Sequence, residues 1–367
     1  MTTTAITGSR GFLGWHTRAR SRALHGETPA GIQLGDGYDA TQAAGAVDGI
    51  DHLIHIAGVN RGTDTEVLDG NVRAAERAVA ALRAATQVPR TLTFANSVQV
   101  GNGSVYAEGK QRAAEILAAA ADDLGIRFRD VLLPNIFGEH GVPFYNSVVA
   151  TFCHLAARGD ALTVAQDKPL TLLHAQKAAA VLLDPEAPAD AGPAQGAHVR
   201  SVIEIKDTIE RFAAIYRAGD IPPLSGSFDV ELFNTYRSFA FDSQTPIALV
   251  KRTDDRGSLA ETVRVMGGQS HTFFSTTKPG VTRGQHHHLR KIERFVVLAG
   301  TAKISLRKVL TDEVRTFQVD GENPVAIDMP TLWAHKITNT GDTVLFTQFW
   351  ANEIFDPEDT DTHPEEV

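Results

Sequence analysis

An α/β domain with a doubly wound parallel sheet, followed by an all-β jelly-roll barrel, is the architecture predicted by two observations. Over the first two thirds of the 367 residues, short β-like runs alternate with Ala-rich helical runs, the pattern of βαβ units around a parallel sheet. From about residue 247 to 349 the pattern changes to short Val/Ile/Phe/Thr-rich runs punctuated by Gly, Asp and Pro, with hardly any helical periodicity. Such a stretch suits a sandwich or barrel. Length favours two or three domains at roughly 150 residues each. The pattern changes within 239–246, which gives domains 1–243 and 244–367.

Taken in order, residues 3–7 read as the first strand, 14–24 as the helix after it and 32–34 as a weak strand. Strands at 51–55, 91–94 and 127–132 then alternate with helices at 66–85 and 107–124. Further helices are expected near 147–158, 175–183 and 205–218, with a Pro/Ala/Gly-rich loop at 184–196. Residues 356–367, rich in Asp, Glu, Pro and Thr, read as a tail or an edge-covering segment.

Composition narrows the function classes. Thirty-five Lys and Arg against 44 Asp and Glu leave a net charge of −9, the opposite of the basic balance that phosphate-backbone binding requires. A nucleic-acid partner is disfavoured. Six of the acids, and no Lys or Arg, fall in residues 355–367, and removing them takes −9 to −3. The acidic balance therefore does not exclude a phosphorylated substrate. No apolar run approaches the 18 or so residues of a membrane span, and the start MTTTAITGSRGFLG has no signal-peptide pattern, so a cytoplasmic address is expected. The single Cys153, inside the apolar run VVATFCHLAARG, reads as a buried small hydrophobe.

Three glycines, Gly8, Gly11 and Gly14, stand between the first strand and the first helix. Glycine lets the backbone turn tightly and approach a pyrophosphate, and a helix N-terminus offers free N–H groups and a positive dipole end. The strand–loop–helix context makes this a Rossmann-type dinucleotide loop. Arg10, inside the loop, is placed to meet a 2′-phosphate, which favours NADP(H), whereas Asp36 is the candidate acid for NAD. Among the tyrosines only Tyr106 has a Lys four residues on, Lys110, and this spacing puts both on one helix face. An ammonium beside a phenol lowers its pKa, so that it can exchange a proton with a carbonyl oxygen. Ser97, at the end of the run TLTFANS, is positioned to hydrogen-bond the same oxygen.

TGSRGFLG, HIAGVNR at 55–61, Ser97, the Tyr106/Lys110 pair and PNIFG at 134–138 resemble an extended short-chain dehydrogenase/reductase. The resemblance assigns the catalytic Ser, Tyr and Lys to Ser97, Tyr106 and Lys110, and brings Asn135 close to the substrate.

The histidines are the other signal. In RGQHHHLRKIERF, His286 and His288 share a strand face because side chains alternate, and Glu293 follows from the next strand. DMPTLWAHKITN adds His335. Three imidazoles and a carboxylate suit a divalent transition metal such as Zn, Ni, Fe or Mn. These two motifs, about 40 residues apart in an all-β segment, resemble those of cupins. His52, His55 and His140 read as structural or solvated.

A hydride site beside a metal-bearing barrel suits a ketone, which can be epimerised at its α carbon and then reduced. NSVQ at 96–99, YNSVVATFC at 145–153, TDDRGS at 253–258, KPGVTRGQHHH at 278–288 and FWANEIFDPEDTDT at 349–362 are similar to the bifunctional capsular-polysaccharide enzymes of the N-acetyl-L-fucosamine pathway. That resemblance implies zinc-dependent C3 epimerisation of UDP-2-acetamido-2,6-dideoxy-β-L-arabino-hexos-4-ulose. NADPH-dependent C4 reduction to UDP-N-acetyl-6-deoxy-L-talosamine then follows, in a homodimer. It also makes Lys291 a candidate for the C3 proton transfer or for a substrate phosphate. Two alternatives stand beside this reading: the same chemistry on another 4-keto sugar nucleotide, and a sugar-binding cupin on a non-catalytic reductase-like scaffold.

Overall fold

The computed structural model describes residues 3–255, 257–268 and 270–367, and the chain separates into two compact units. Residues 1–137 with 169–200 form one, and residues 138–168 with 201–367 the other. Arg256, within TDDRGS, and Met1 and Thr2, at the start of the chain, lie outside the described residues.

The first unit is a Rossmann-type α/β layer structure. Strands β1 (Thr4–Thr7), β2 (Ala30–Ile32), β3 (His52–His55), β4 (Thr91–Ser97) and β5 (Arg127–Leu133) pair in parallel in the order β2-β1-β3-β4-β5. The order reverses at β1, and ligands bind where the carboxyl ends of the strands open at such a switch point. Helices α1 (Phe12–His25), α2 (Ala40–Val47), α3 (Asp64–Ala84) and α4 (Val105–Leu124) connect them. Thr63 and Glu66 close a reciprocal capping box at the start of α3, which satisfies N–H groups that the first turn leaves unpaired. Ala75, Leu82, Leu92, Phe94 and Leu117 are among the buried side chains between α3, α4 and the sheet. Beyond β6 (Asn135–Phe137), α5 (Val148–Arg158) belongs to the second unit. The chain then returns for β7 (Pro169–His174), α6 (Ala175–Leu183) and β8 (His198–Ser201), which with β6 make a three-stranded sheet.

In the second unit α7 (Val202–Arg217) and α8 (Ser227–Gln244) precede the β region. The sequence pattern did not single out α8 or the short α2. Two five-stranded antiparallel sheets form the cupin-like barrel. One orders β12 (His271–Thr277), β19 (Leu345–Ala351), β14 (Glu293–Ala299), β17 (Val325–Met329) and β9 (Ile247–Ala248). The other orders β16 (Val314–Asp320), β15 (Thr301–Lys308), β18 (Trp333–Asn339), β13 (Thr282–His287) and β20 (His363–Pro364), and β10 (Lys251–Asp254) with β11 (Gly257–Ala260) makes a separate hairpin.

Phe295, Ile304, Ile337 and Phe349 fill the space between the sheets, and Phe241 of α8 joins the same core against Trp333, ring centroids 5.3 Å apart. On the outer face Arg294 Nε lies 2.6 Å from Asp328 Oδ1, its second nitrogen 3.1 Å from Oδ2, and the Tyr216 hydroxyl donates to Oδ2 at 2.5 Å. Arg237 of α8 donates to the Met329 carbonyl at 3.0 Å. These contacts tie α7 and α8 to the barrel. Secondary structure thus changes from helix to strand between Gln244 and Ile247, while the packing groups α5, α7 and α8 with the strands.

Candidate active sites

The glycine loop follows β1 at the switch point. Gly8 adopts φ +69°, in the left-handed region, and Gly14 leaves no room for a side chain, since a Cβ there would stand 2.2 Å from the Gly8 carbonyl oxygen. Gly11 caps α1 with no side chain answering the free N–H groups. The backbone therefore forms a cradle that a ligand's phosphates fit. A groove of about 890 Å³ runs over the loop, and Arg10, Gln33, Asp36, Arg61, Arg73 and Arg77 are among its lining residues. Gln33, not an acid, stands directly after β2, and its amide donates to the Asp36 carbonyl at 3.0 Å. Arg77 is fixed on the Leu34 carbonyl at 2.6 Å with its guanidinium 4.6 Å from the Tyr38 ring centre. The sequence pattern singled out Arg10 alone among these arginines, because the other three come from α3 or the loop before it and only folding brings them together.

Ser97 ends β4 and Tyr106 stands in the first turn of α4, whose cap is Ser104. Burial raises the Tyr106 pKa, and the nearby Ser97 side chain opposes the rise. Lys110 is buried, donates to the Ala95 carbonyl at 2.7 Å and lies 4.5 Å from the Phe94 ring centre. Burial lowers it from 10.5 to about 8, with Asp130 opposing. The expected lowering of the phenol by a facing ammonium is not what this arrangement favours: burial acts most strongly on the phenol, and the ammonium is held by the backbone. Asn135 is exposed, with its amide on the Thr171 carbonyl at 3.1 Å.

In the barrel, His286 lies opposite His335 in the pairing of β13 with β18, and Glu293 opens β14 in the facing sheet. One ligand atom from each of His286, His288, Glu293 and His335 lies within 4.8 Å of the others. Glu293 Oε2 is 3.0 Å from His288 Nε2 and 3.5 Å from His335 Nε2. The opposite nitrogens face backbone carbonyls: His288 Nδ1 is 2.5 Å from Asp361 O, and His335 Nδ1 is 3.3 Å from Trp333 O. Such outer contacts fix the ring and aim the other nitrogen at an ion.

Burial lowers His286 to about 3, with His335 and His288 adding to the effect, and burial also lowers His335. Burial works against charge on both His288 and Glu293, yet each favours the other's charged form while no ion is present: His288 is raised and Glu293 held well below the carboxylate range. Three imidazoles and one carboxylate, buried and convergent, fit a divalent cation.

His287 turns away from this set, its ring 5.5 Å from that of His363. Lys291 is buried with its ammonium on the Thr360 carbonyl at 2.5 Å. His52 and His55 are buried in the parallel sheet on Thr93 at 2.7 Å and Thr7 at 3.0 Å.

Comparison with known proteins bears on both sites. Residues 252–363 match the polysaccharide biosynthesis C-terminal domain. The capsular polysaccharide assembling protein CapF of Staphylococcus aureus has 29% sequence identity and a TM-score of 0.63, with 100% of both chains covered. Over its full length the chain is a close structural match to CapF. A UDP-2-acetamido-2,6-beta-L-arabino-hexul-4-ose reductase of Pseudomonas aeruginosa is 28% identical over 369 residues, 98% of this chain and 97% of that protein. A UDP-N-acetylglucosamine 4-epimerase of Bacillus cereus, 16% identical with a TM-score of 0.50 over 58% of this chain and 82% of its own, shares the fold.

Proposed function

We propose that this protein is a bifunctional nucleotide-sugar enzyme of surface-polysaccharide synthesis. Its barrel epimerises a UDP-linked 4-keto-6-deoxy amino sugar at C3, and its Rossmann unit reduces the C4 ketone with NADPH. The observation that carries the reading is the convergence of His286, His288, Glu293 and His335 in a chain that also holds the glycine cradle and the Ser97/Tyr106/Lys110 set. Similarity to CapF and to the Pseudomonas aeruginosa reductase supplies the substrate class.

A divalent ion, zinc in this proposal, supplies Lewis acidity that makes the C3 proton acidic, and NADPH supplies hydride. The three histidines and Glu293 hold the ion. Gly8, Gly11 and Gly14 bind the dinucleotide pyrophosphate through the backbone. Arg10, with Gln33 where NAD sites place an acid, favours the 2′-phosphate. Tyr106, beside Ser97, gives its proton to the C4 oxygen, and Lys110 stands one turn further along the same helix with its ammonium on the Ala95 carbonyl. A part for Lys291 in proton transfer requires its ammonium to leave the Thr360 carbonyl.

NMR of the product made from the 4-keto UDP sugar and NADPH tests substrate, stereochemistry and cofactor together. In D2O without NADPH, deuterium is expected to enter C3 and to stop entering in His335→Ala. No incorporation, or incorporation indifferent to that substitution, overturns the epimerase half.

A further inference from the structure

Residues 360–367 touch the histidine cluster at several points around it. The Asp361 carboxylate accepts three successive backbone N–H groups: Leu289 at 3.0 Å on Oδ1, then Arg290 at 2.9 Å and Lys291 at 2.7 Å on Oδ2. Those residues span the chain between His288 and Glu293. The backbone carbonyl of Asp361 faces His288 Nδ1, and its other side-chain neighbour is His363 Nε2 at 3.2 Å. A buried carboxylate is costly unless its oxygens are answered, and Asp361, only 4% exposed, is answered by the turn that carries one histidine to the glutamate.

Two residues on, β20 pairs with His286 and His287. Glu365 N donates to the Gln285 carbonyl at 2.9 Å, and Val367 N to the Gln285 side-chain oxygen at 3.0 Å. Gln285 sits at φ +65°, where a residue with a Cβ is strained. It lies at the irregularity between Gly284 and His286 in the pairing with β18. Without the bulge, the alternation of side chains along β13 would be shifted by one. The pairing with residues 365–367 holds the strained residue that sets the facing of His286.

We propose that residues 360–367 are a positioning strap for the metal centre. Asp361 is its principal positioning residue: it fixes His288 and the turn to Glu293, while the strand pairing fixes His286. The strap rests on the metal-site reading above.

The test is zinc affinity of the purified full chain, measured by competition with a chromophoric chelator, beside the thermal midpoint of the metal-free protein. Asp361→Asn turns one accepting oxygen into a donor facing backbone N–H groups and is expected to weaken zinc binding roughly 10–100-fold. Lys251→Gln removes the 3.1 Å ion pair to Glu322, which lies outside the strap, and is expected to leave affinity within about twofold. A lowered midpoint in Asp361→Asn with affinity unchanged makes the segment merely structural and overturns the proposal. Should that variant not fold, deletion of residues 363–367 replaces it, and unchanged affinity there overturns the strap equally. Absence of any zinc binding that His335→Ala abolishes overturns the metal reading instead, whatever the strap variants do.

Discussion

Burial acts on both Tyr106 and Lys110 in the proposed reductase site, raising the phenol and lowering the ammonium. The phenol is pushed up by burial, which suits the proton-donor role proposed for it. Tyr106→Phe is expected to reduce NADPH oxidation by roughly 10²–10⁴-fold while C3 deuterium exchange continues, and loss of both together would show that the two activities are not separable. Lys110 falls from 10.5 to about 8 in the folded chain. Between these values the unfolded chain binds more protons than the folded one, so stability rises with pH across that window. Denaturant unfolding at pH 8 to 10.5 is expected to show this rise in the wild type and a flatter profile in Lys110→Met. Cys153 is fully buried and its thiol is pushed upward, which disfavours the thiolate a nucleophile needs.

At the scale of elements, both sites depend on backbone that cannot yield. The Gly8 carbonyl stands where a Gly14 side chain would go, so Gly14→Ala must displace the loop. It is expected to cost about 1–3 kcal/mol of stability and to weaken NADPH binding measured by fluorescence titration, with zinc content unaltered. The glycine spacing, the Tyr106/Lys110 pair and the His286/His288 alternation were legible because each depends on local periodicity within one element. The expected helices at 175–183 and 107–124 correspond to α6 and α4. Helix α8 escaped notice because its buried residues, Phe228 to Phe241, include Asn234, Thr235 and Arg237, which blur an apolar stripe. Asp361 escaped for another reason: among six acids in one run, nothing local marks the one that three backbone N–H groups surround.

Across the whole molecule, charge and packing are organised differently from composition. The acidic run 355–367 is not a free tail. Asp361 and Glu365 are buried, and Asp359 pairs with Arg290 at 2.9 Å. The second unit is closed by the buried Arg294–Asp328 pair, both side chains at most 2% exposed. Removing one partner leaves an uncompensated buried charge, so Asp328→Ala is expected to destabilise the second unit by about 3–5 kcal/mol. Calorimetry with and without zinc identifies that transition.

By itself the sequence determined the alternating α/β layer, the all-β segment after it, the glycine cradle and the identity of the four clustered side chains. Hydrophobic period and short motifs are local properties, and neighbours along the chain suffice to set them. Only the tertiary structure decided that Lys110 is held by a carbonyl, that α5, α7 and α8 pack with the barrel, and that an acidic run meets His288. Those outcomes depend on burial and on partners as far as 112 residues away in the chain, and desolvation has no signature in local spacing.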